Sequence, residues 1–567
     1  MFSKILLRLA IPAAIALIAT SHAYCVNIIS VSPRSCETAK LSKGINCYTD
    51  SHQTIQSVPI ALKGGKLIKT SAADATDTMF RLTFSIDVRS EVYVCYDPRV
   101  SAPSWLSTWV ATDMTVSVGS KSPVEYKVYA KRYQPGTVRL PANQAEAMYF
   151  VVVKDLTPRF PHNGWVLLTY DMPYLREIIK KAPEYDVNHI QISHDIMMNT
   201  YCTTIRSQRQ DINELIDLAH AYGVPEVTLW SHEVCTWGIP PDLLAPDGRS
   251  DGNNPALWEW IKQRYIEMLT PGVGCPEADG IVLTFSEVSN NVYKRGQFKH
   301  DGFTEAESVA MTLNTVQQAC KMFGKSLYAR TWVGFDKWAE EVIRDGILIN
   351  GDTDIWIMNK NIGGIDWPIM DSHMAMIGTL PPQYKELIEF DINGEYIGKG
   401  RSTFVLTQYL KDHWNYALER GADGAVSRID RKTDMNYYTS NRINLYSMKE
   451  VMANPSVDAR AVNLEWCRQQ FPVEIAEDIA DHYDDPDSPW QGDTRYMTWE
   501  AYRPTDCPLT TEQALDIAYK ALKRLERHKA VLEQQTTLNT REGINDYITL
   551  TSGINTAIAK LLEAASK

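Results

Sequence analysis

Beyond its opening segment the chain has no apolar run long enough to span a bilayer. No Cys-x-x-Cys pair occurs, which excludes a zinc ribbon of that type. The absence of His-Glu-x-x-His and of any comparable helical histidine pair excludes the usual zinc-protease centre. A Gly-x-Ser-x-Gly turn is missing too, as is a glycine-rich phosphate or dinucleotide loop after a strand. Basic charge is scarce: 57 Lys and Arg against 69 Asp and Glu give a formal net charge of −12. That balance argues against a nucleic-acid partner, which calls for clustered cations. An anionic ligand would have to be met by a few local cations. Internal repeats and low-complexity tracts are also lacking.

At 567 residues the chain exceeds one ordinary core, and two or three domains are expected. The opening residues combine Lys4 and Arg8 with the apolar run "LAIPAAIALIA" and a small-residue pattern ending at Ala23. This reads as a secretory signal peptide over 1–23, cleaved after Ala23, and implies a secreted or periplasmic protein. Tyr24 and His22 ahead of Cys25 do not suit a lipid-anchor site. All ten cysteines lie beyond that point, so disulfides are expected; Cys36 and Cys47 flank a short loop and are predicted to pair.

Three regions follow. Residues 24–157 carry short alternating runs such as "MFRLTFSIDV" and "VEYKVYAKRY" between turn residues, the pattern of an antiparallel β-sandwich. Within it, "VYVCYDPRVSAPSWLSTWVATD" resembles a segment of β-sandwich accessory domains in secreted polysaccharide-degrading enzymes. Trp105 and Trp109 there either stack on sugars or pack the core, and packing is the favoured reading. Over 158–440 apolar strands alternate with helical segments: "WVLLT", "HIQIS", "EVTLW", "GIVLTF", "SLYAR", "DIWIM", "ELIEF" and "GAVSR". Eight such units predict a closed (β/α)₈ barrel. From 441 to 567 the strands vanish and helical spacing predicts a C-terminal helical domain.

In such a barrel the active site forms at the C-terminal strand ends. Those positions hold Tyr170, His194 with Asp195, His232 with Glu233, Glu287, Arg330 with Trp332, Lys360 with Asn361, Asp366 with Trp367, Asp391 with Glu395, and Arg428 with Asp430. Converging carboxylates in one mouth suit glycoside hydrolysis, where one acid protonates the leaving oxygen and another carboxylate activates water or attacks. Any single rim acid is more often a helix cap or ion-pair partner. For His194 and His232, hydrogen bonding is favoured over metal ligation, and neither a metal nor a cofactor is expected.

"GIVLTFSE", "YARTW", "MNKNIGGIDW", "ELIEFDINGEYIG" and the helical stretch from "NYYTSNRINLYSMKEV" onward resemble the α-glucuronidases of glycoside hydrolase family 67 over roughly 164–475. The resemblance implies that Glu287 is the general acid and that Asp366 or Glu395 activates water with inversion. It also implies that Arg330 and Lys360 meet a uronic-acid carboxylate. The chain departs from the family at Leu283, where the family has a substrate-contacting lysine, and in "VSNNVYKRG" after Glu287. The expectation is an exported, exo-acting hydrolase of plant or algal oligosaccharides or polysaccharides with a terminal uronic acid. The alternatives are a hydrolase for a neutral or sulfated sugar, or a non-catalytic carbohydrate-binding barrel.

Overall fold

A computed structural model describes residues 26–484, apart from 144, 158–160, 233–237, 289, 334–335, 361–375, 393–404, 432–433, 439 and 472. The signal-peptide expectation over 1–23 and most of the expected helical domain, from 485 to 567, fall outside the described residues.

The N-terminal region is a pair of antiparallel sheets of seven and three strands. In Leu82–Ile86 Leu, Phe and Ile alternate inward with Thr and Ser outward, the period that half-burial of a strand imposes. Trp105 and Trp109 meet edge to face at 5.7 Å, and Trp105 Nε1 donates to the Ala142 carbonyl at 3.3 Å. They pack the sandwich. One expectation is overturned here, because Cys36 and Cys47 are free thiols. Cys47 is fully buried in the sandwich core with its Sγ donating to the Gln53 carbonyl at 3.2 Å, while Cys36 lies against the Ser71 backbone. Spacing in sequence had brought the two residues close along the chain but did not aim their side chains at each other.

The eight expected strands close into a parallel barrel in chain order. They are β1 (His162–Leu167), β2 (His189–Ile192), β3 (Glu226–His232), β4 (Gly280–Thr284), β5 (Ser326–Arg330), β6 (Trp356–Lys360), β7 (Lys385–Asp391) and β8 (Gly424–Arg428). Helices α1 (Met172–Lys181), α2 (Arg206–Ala221), α3 (Pro255–Leu269), α4 (Glu305–Met322), α5 (Lys337–Asn350) and α6 (Thr407–Leu418) lie between strands. Their starts are written locally: Asp171 caps α1, and Thr304 with Glu307 forms a reciprocal capping box on α4. Gly223 and Gly324, just past α2 and α4, adopt φ +82° and +63°, the left-handed cap that glycine alone enters freely. Among the described residues three further helices, α7 (Ile443–Ala453), α8 (Ala459–Gln470) and α9 (Val473–Asp484), follow the barrel.

Sandwich and barrel are fastened through the end of α2, where Leu218, Ala221 and the following Tyr222 join the sandwich's apolar core. Arg132 bridges to Asp217 at 2.8 Å and Glu277 at 3.2 Å, and Arg89 pairs with Asp279. Inside the barrel an apolar layer that includes Val166, Trp230, Val282, Met358, Leu387 and Val426 separates two polar ends. At the closed N-terminal end sit His162, His189 and Glu226, all buried, with Tyr328 donating its hydroxyl to Glu226. Charged groups gather at the opposite, C-terminal end.

Candidate active site

Strand period and register put the charged groups of the barrel mouth in one layer. In β7, Leu387, Glu389 and Asp391 are two apart and share a face. Register then sets His232 beside Thr284 and Thr284 beside Arg330, Lys360 beside Glu389, and Asp391 beside Arg428. Glu389 is the centre of this layer. It receives Arg330 through Nε and Nη2, the latter at 2.9 Å, and Lys360 Nζ approaches it at 3.8 Å. Arg330 is also held between the rings of Trp230 and Trp332, each 4.8 Å from its guanidinium carbon, and Lys360 Nζ stands 4.7 Å over Trp332. Arg428 Nη1 reaches Asp391 Oδ2 at 3.2 Å.

Burial would raise the Glu389 pKa, but the Arg330 and Lys360 charges outweigh it and bring it down to about 2. Lys360 moves the other way. Burial, with help from the Arg428 charge, lowers it to about 7, against the pull of Glu389 and Asp391. Asp430 accepts from the backbone N–H of Leu168 at 2.6 Å, and burial raises its pKa to about 7. It ties the end of β1 to that of β8.

Next to this layer lies a second group, made by the loops after β2 and β4 and the end of β3. Glu287 Oε2 is 3.4 Å from His194 Nε2 and 3.5 Å from His232 Nε2. Both imidazoles are buried, whereas the Glu287 side chain is 40 % exposed toward the mouth. His194 and Glu287 have φ of +45° and +59°, a region non-glycine residues enter at a cost of about 1 kcal/mol or more. Two strained residues facing each other mark a site that the surrounding fold holds in place. Burial disfavours the Glu287 anion, but the neighbouring His194 N–H and the field of Arg330 hold its carboxyl well below the usual range. Burial takes the His194 ring down to about 3, so that ring is neutral.

The tautomers follow from the partners. His232 Nδ1 is 3.0 Å from the Met198 carbonyl, which only accepts, so Nδ1 carries the hydrogen. A neutral His232 then turns the lone pair of Nε2 toward a carboxylate oxygen. Two lone pairs at that distance repel, so the gap calls for a proton or a cation. His194 Nδ1 meets Ser193 Oγ at 2.6 Å; accepting from that hydroxyl leaves Nε2–H to donate to Glu287.

Other sequence-derived positions fall elsewhere. Tyr170 is exposed and donates its hydroxyl to Asp211 on α2 at 2.7 Å. Asp195 is exposed on the loop after β2. Asn359 is buried, accepting from Thr331 at 2.7 Å and donating to Glu386 at 2.6 Å. Glu233, Asn361, Asp366, Trp367 and Glu395 lie outside the described residues. Sequence reading missed Glu389, although an acid at an inward position of "ELIEF" was the available signal: a charge inside a barrel strand needs a partner.

No protein-family model and no curated protein matches the chain. Among solved structures, a family 138 enzyme targeting pectin rhamnogalacturonan II is similar at 10% identity and TM-score 0.46, over 73% of this chain and 59% of that one. A mutant O-GlcNAc hydrolase from Thermobaculum terrenum is similar at 10% identity and TM-score 0.44, over 71% of this chain and 81% of that one. A β-glucuronidase of family 2 matches at 20% identity and TM-score 0.20, over 22% of this chain and 14% of that one. All three are glycoside hydrolases. The chain spans less than two thirds of the first and the third of them. Likeness at these scores carries no argument about the reaction, which rests on the site.

Proposed function

We propose that this chain is a glycoside hydrolase whose proton donor is Glu287. One observation carries the reading: a carboxyl group on strained backbone at the end of a barrel strand, open to the mouth, has its Oε2 3.5 Å from an imidazole nitrogen whose tautomer leaves a lone pair there. A proton taken up in that gap is shared between Glu287 and His232. Transfer to a glycosidic oxygen lets the C–O bond break, while water adds at the anomeric carbon and gives its proton to a second carboxylate. With the pocket empty the Glu287 anion is the favoured form, and the carboxyl gains its proton only as a sugar enters the mouth. The resemblance to family 67 supports Asp366 or Glu395 as the second carboxylate, inversion at the anomeric carbon, exo action, and a terminal uronic acid on an oligosaccharide or polysaccharide fragment. The signal-peptide pattern supports export.

A neutral-sugar reading is favoured by a separate observation. Arg330 and Lys360 are both buried and both directed at Glu389, so two cations read as uronate ligands already share an anion. Incubating the protein with matched glucuronide and glucoside oligosaccharides, with NMR of the first-formed anomer, tests the whole reading. Hydrolysis with inverted configuration, lost in Glu287→Gln, supports it; an unsaturated product absorbing in the ultraviolet, or undiminished turnover by Glu287→Gln, removes it.

A further inference from the structure

The gap between Glu287 and the two imidazoles has the dimensions of a cation site. We propose that His194, His232 and Glu287 form a three-ligand site for a zinc-class divalent ion, and that such an ion, by occupying the Glu287 carboxylate, blocks its part in sugar cleavage. The argument is geometric. Around a tetrahedral Zn²⁺ with bonds of about 2.0–2.1 Å, neighbouring ligand atoms are about 3.3–3.4 Å apart. The two separations to Glu287 Oε2 are 3.4 and 3.5 Å, and the three donor atoms all lie within 4.8 Å of one another. The two edges to Glu287 therefore already have the length that a tetrahedral ion requires.

The outer hydrogen bonds are those a metal-binding histidine needs. His232 donates from Nδ1 to a backbone carbonyl, which fixes its ring and frees Nε2. That Nε2 is buried and has no hydrogen-bond partner among the described residues. His194 is held through Nδ1 by Ser193; donation from Nδ1 to the hydroxyl oxygen would free its Nε2 in the same way. Glu287 faces the mouth, so a fourth position stays open to water, as in three-ligand zinc centres. Imidazole and carboxylate donors suit Zn²⁺, Co²⁺, Ni²⁺ and Cu²⁺ better than Ca²⁺ or Mg²⁺.

Competition with catalysis rests on the hydrolase reading, whereas binding of the ion does not. The probe is Co²⁺, added to chelator-treated full-length protein and followed by visible absorption, with Zn²⁺ titrated by calorimetry. One ion per chain and the intense bands of four-coordinate Co²⁺ are expected. His232→Ala and Glu287→Gln should each weaken binding about 100-fold or more. Circular dichroism and thermal melts establish that the variants are folded, and His232→Gln replaces His232→Ala should that one fail. The barrel's closed end also brings two histidines and an acid together, so Glu226→Gln is the control and should keep the bands. No bands in the unmodified protein, or bands lost in Glu226→Gln and kept in Glu287→Gln, overturn the site. Zn²⁺ should abolish sugar hydrolysis and a chelator restore it; hydrolysis that rises with Zn²⁺ overturns the competition. If the metal-free protein cleaves no sugar yet the bands behave as expected, the hydrolase reading falls and the metal site stands.

Discussion

Glu389 accepts two hydrogen bonds from Arg330 and lies 3.8 Å from Lys360 Nζ, with none of the three side chains more than 1 % exposed. Removing one member of such a set leaves an uncompensated charge in a low dielectric, which is costlier than never having buried the pair. Glu389→Gln should therefore destabilise the barrel by about 3–5 kcal/mol in urea unfolding. The double variant Arg330→Met, Glu389→Leu should cost less than the single one. A Glu389→Gln protein as stable as the parent would show that the mouth is wet.

At Glu287, rate and stability should move in opposite directions. Glu287→Gln should lower kcat by about 10²–10⁴-fold through lost proton transfer and leave the melting curve near that of the parent. Glu287→Gly relieves the backbone at φ +59° and should gain about 1 kcal/mol of stability while losing activity. Equal melting temperatures for the glycine and glutamine variants would argue against stored strain.

Lys360→Met separates the two sugar readings. If Lys360 serves a uronate, kcat/KM should fall severely for a glucuronide and little for the matched glucoside, because only the former loses a charge-assisted hydrogen bond of roughly 1.5–3 kcal/mol. Equal losses on both substrates would assign Lys360 to Glu389 alone.

The closed end of the barrel should make stability depend on pH. Burial raises the Glu226 carboxyl to about 8, from 4.5, against hydrogen bonding from Tyr328 and the fields of Arg89 and Lys385; Asp279 pushes it the same way as burial, and His162 Nδ1 lies 3.4 Å away. Between these values the folded chain keeps a proton that the unfolded chain releases, so stability falls as pH rises from 4.5 to about 8. Glu226→Gln keeps an acceptor for Tyr328 and should flatten that fall, leaving the variant more stable above pH 8 by on the order of a few kcal/mol. Parallel denaturation profiles for the two proteins across this range would remove the claim.

The thiols of the sandwich should be slow rather than bonded. Burial raises Cys36 to about 11 and Cys47 to about 12, so neither is a thiolate at neutral pH. Alkylation without reductant should leave both unmodified in the native protein and modify both after unfolding. Recovery of an intact Cys36–Cys47 peptide pair would contradict the fold described above.

Strands and helices were legible because their causes are local. The apolar runs of "EVTLW" and "GIVLTF", the capping box at Thr304 and Glu307, and the glycines after α2 and α4 each act within a few residues, and eight units of strand and helix have few ways to close other than a barrel. The strand-end rule drew attention to Glu287, Arg330 and Lys360 for the same reason. What those side chains do to one another was decided across the barrel. Register between strands far apart in sequence brought Glu389 of β7 to Arg330 of β5 and Lys360 of β6, and so turned three strand positions into one buried charge set. The approach of the loops after β2 and β4 placed His194 and Glu287 face to face on strained backbone. The direction in which Cys36 and Cys47 point was likewise settled by packing in the sandwich. An ion pair, a tautomer and a disulfide each depend on distances of a few ångströms between residues remote in the chain, and only tertiary packing sets them.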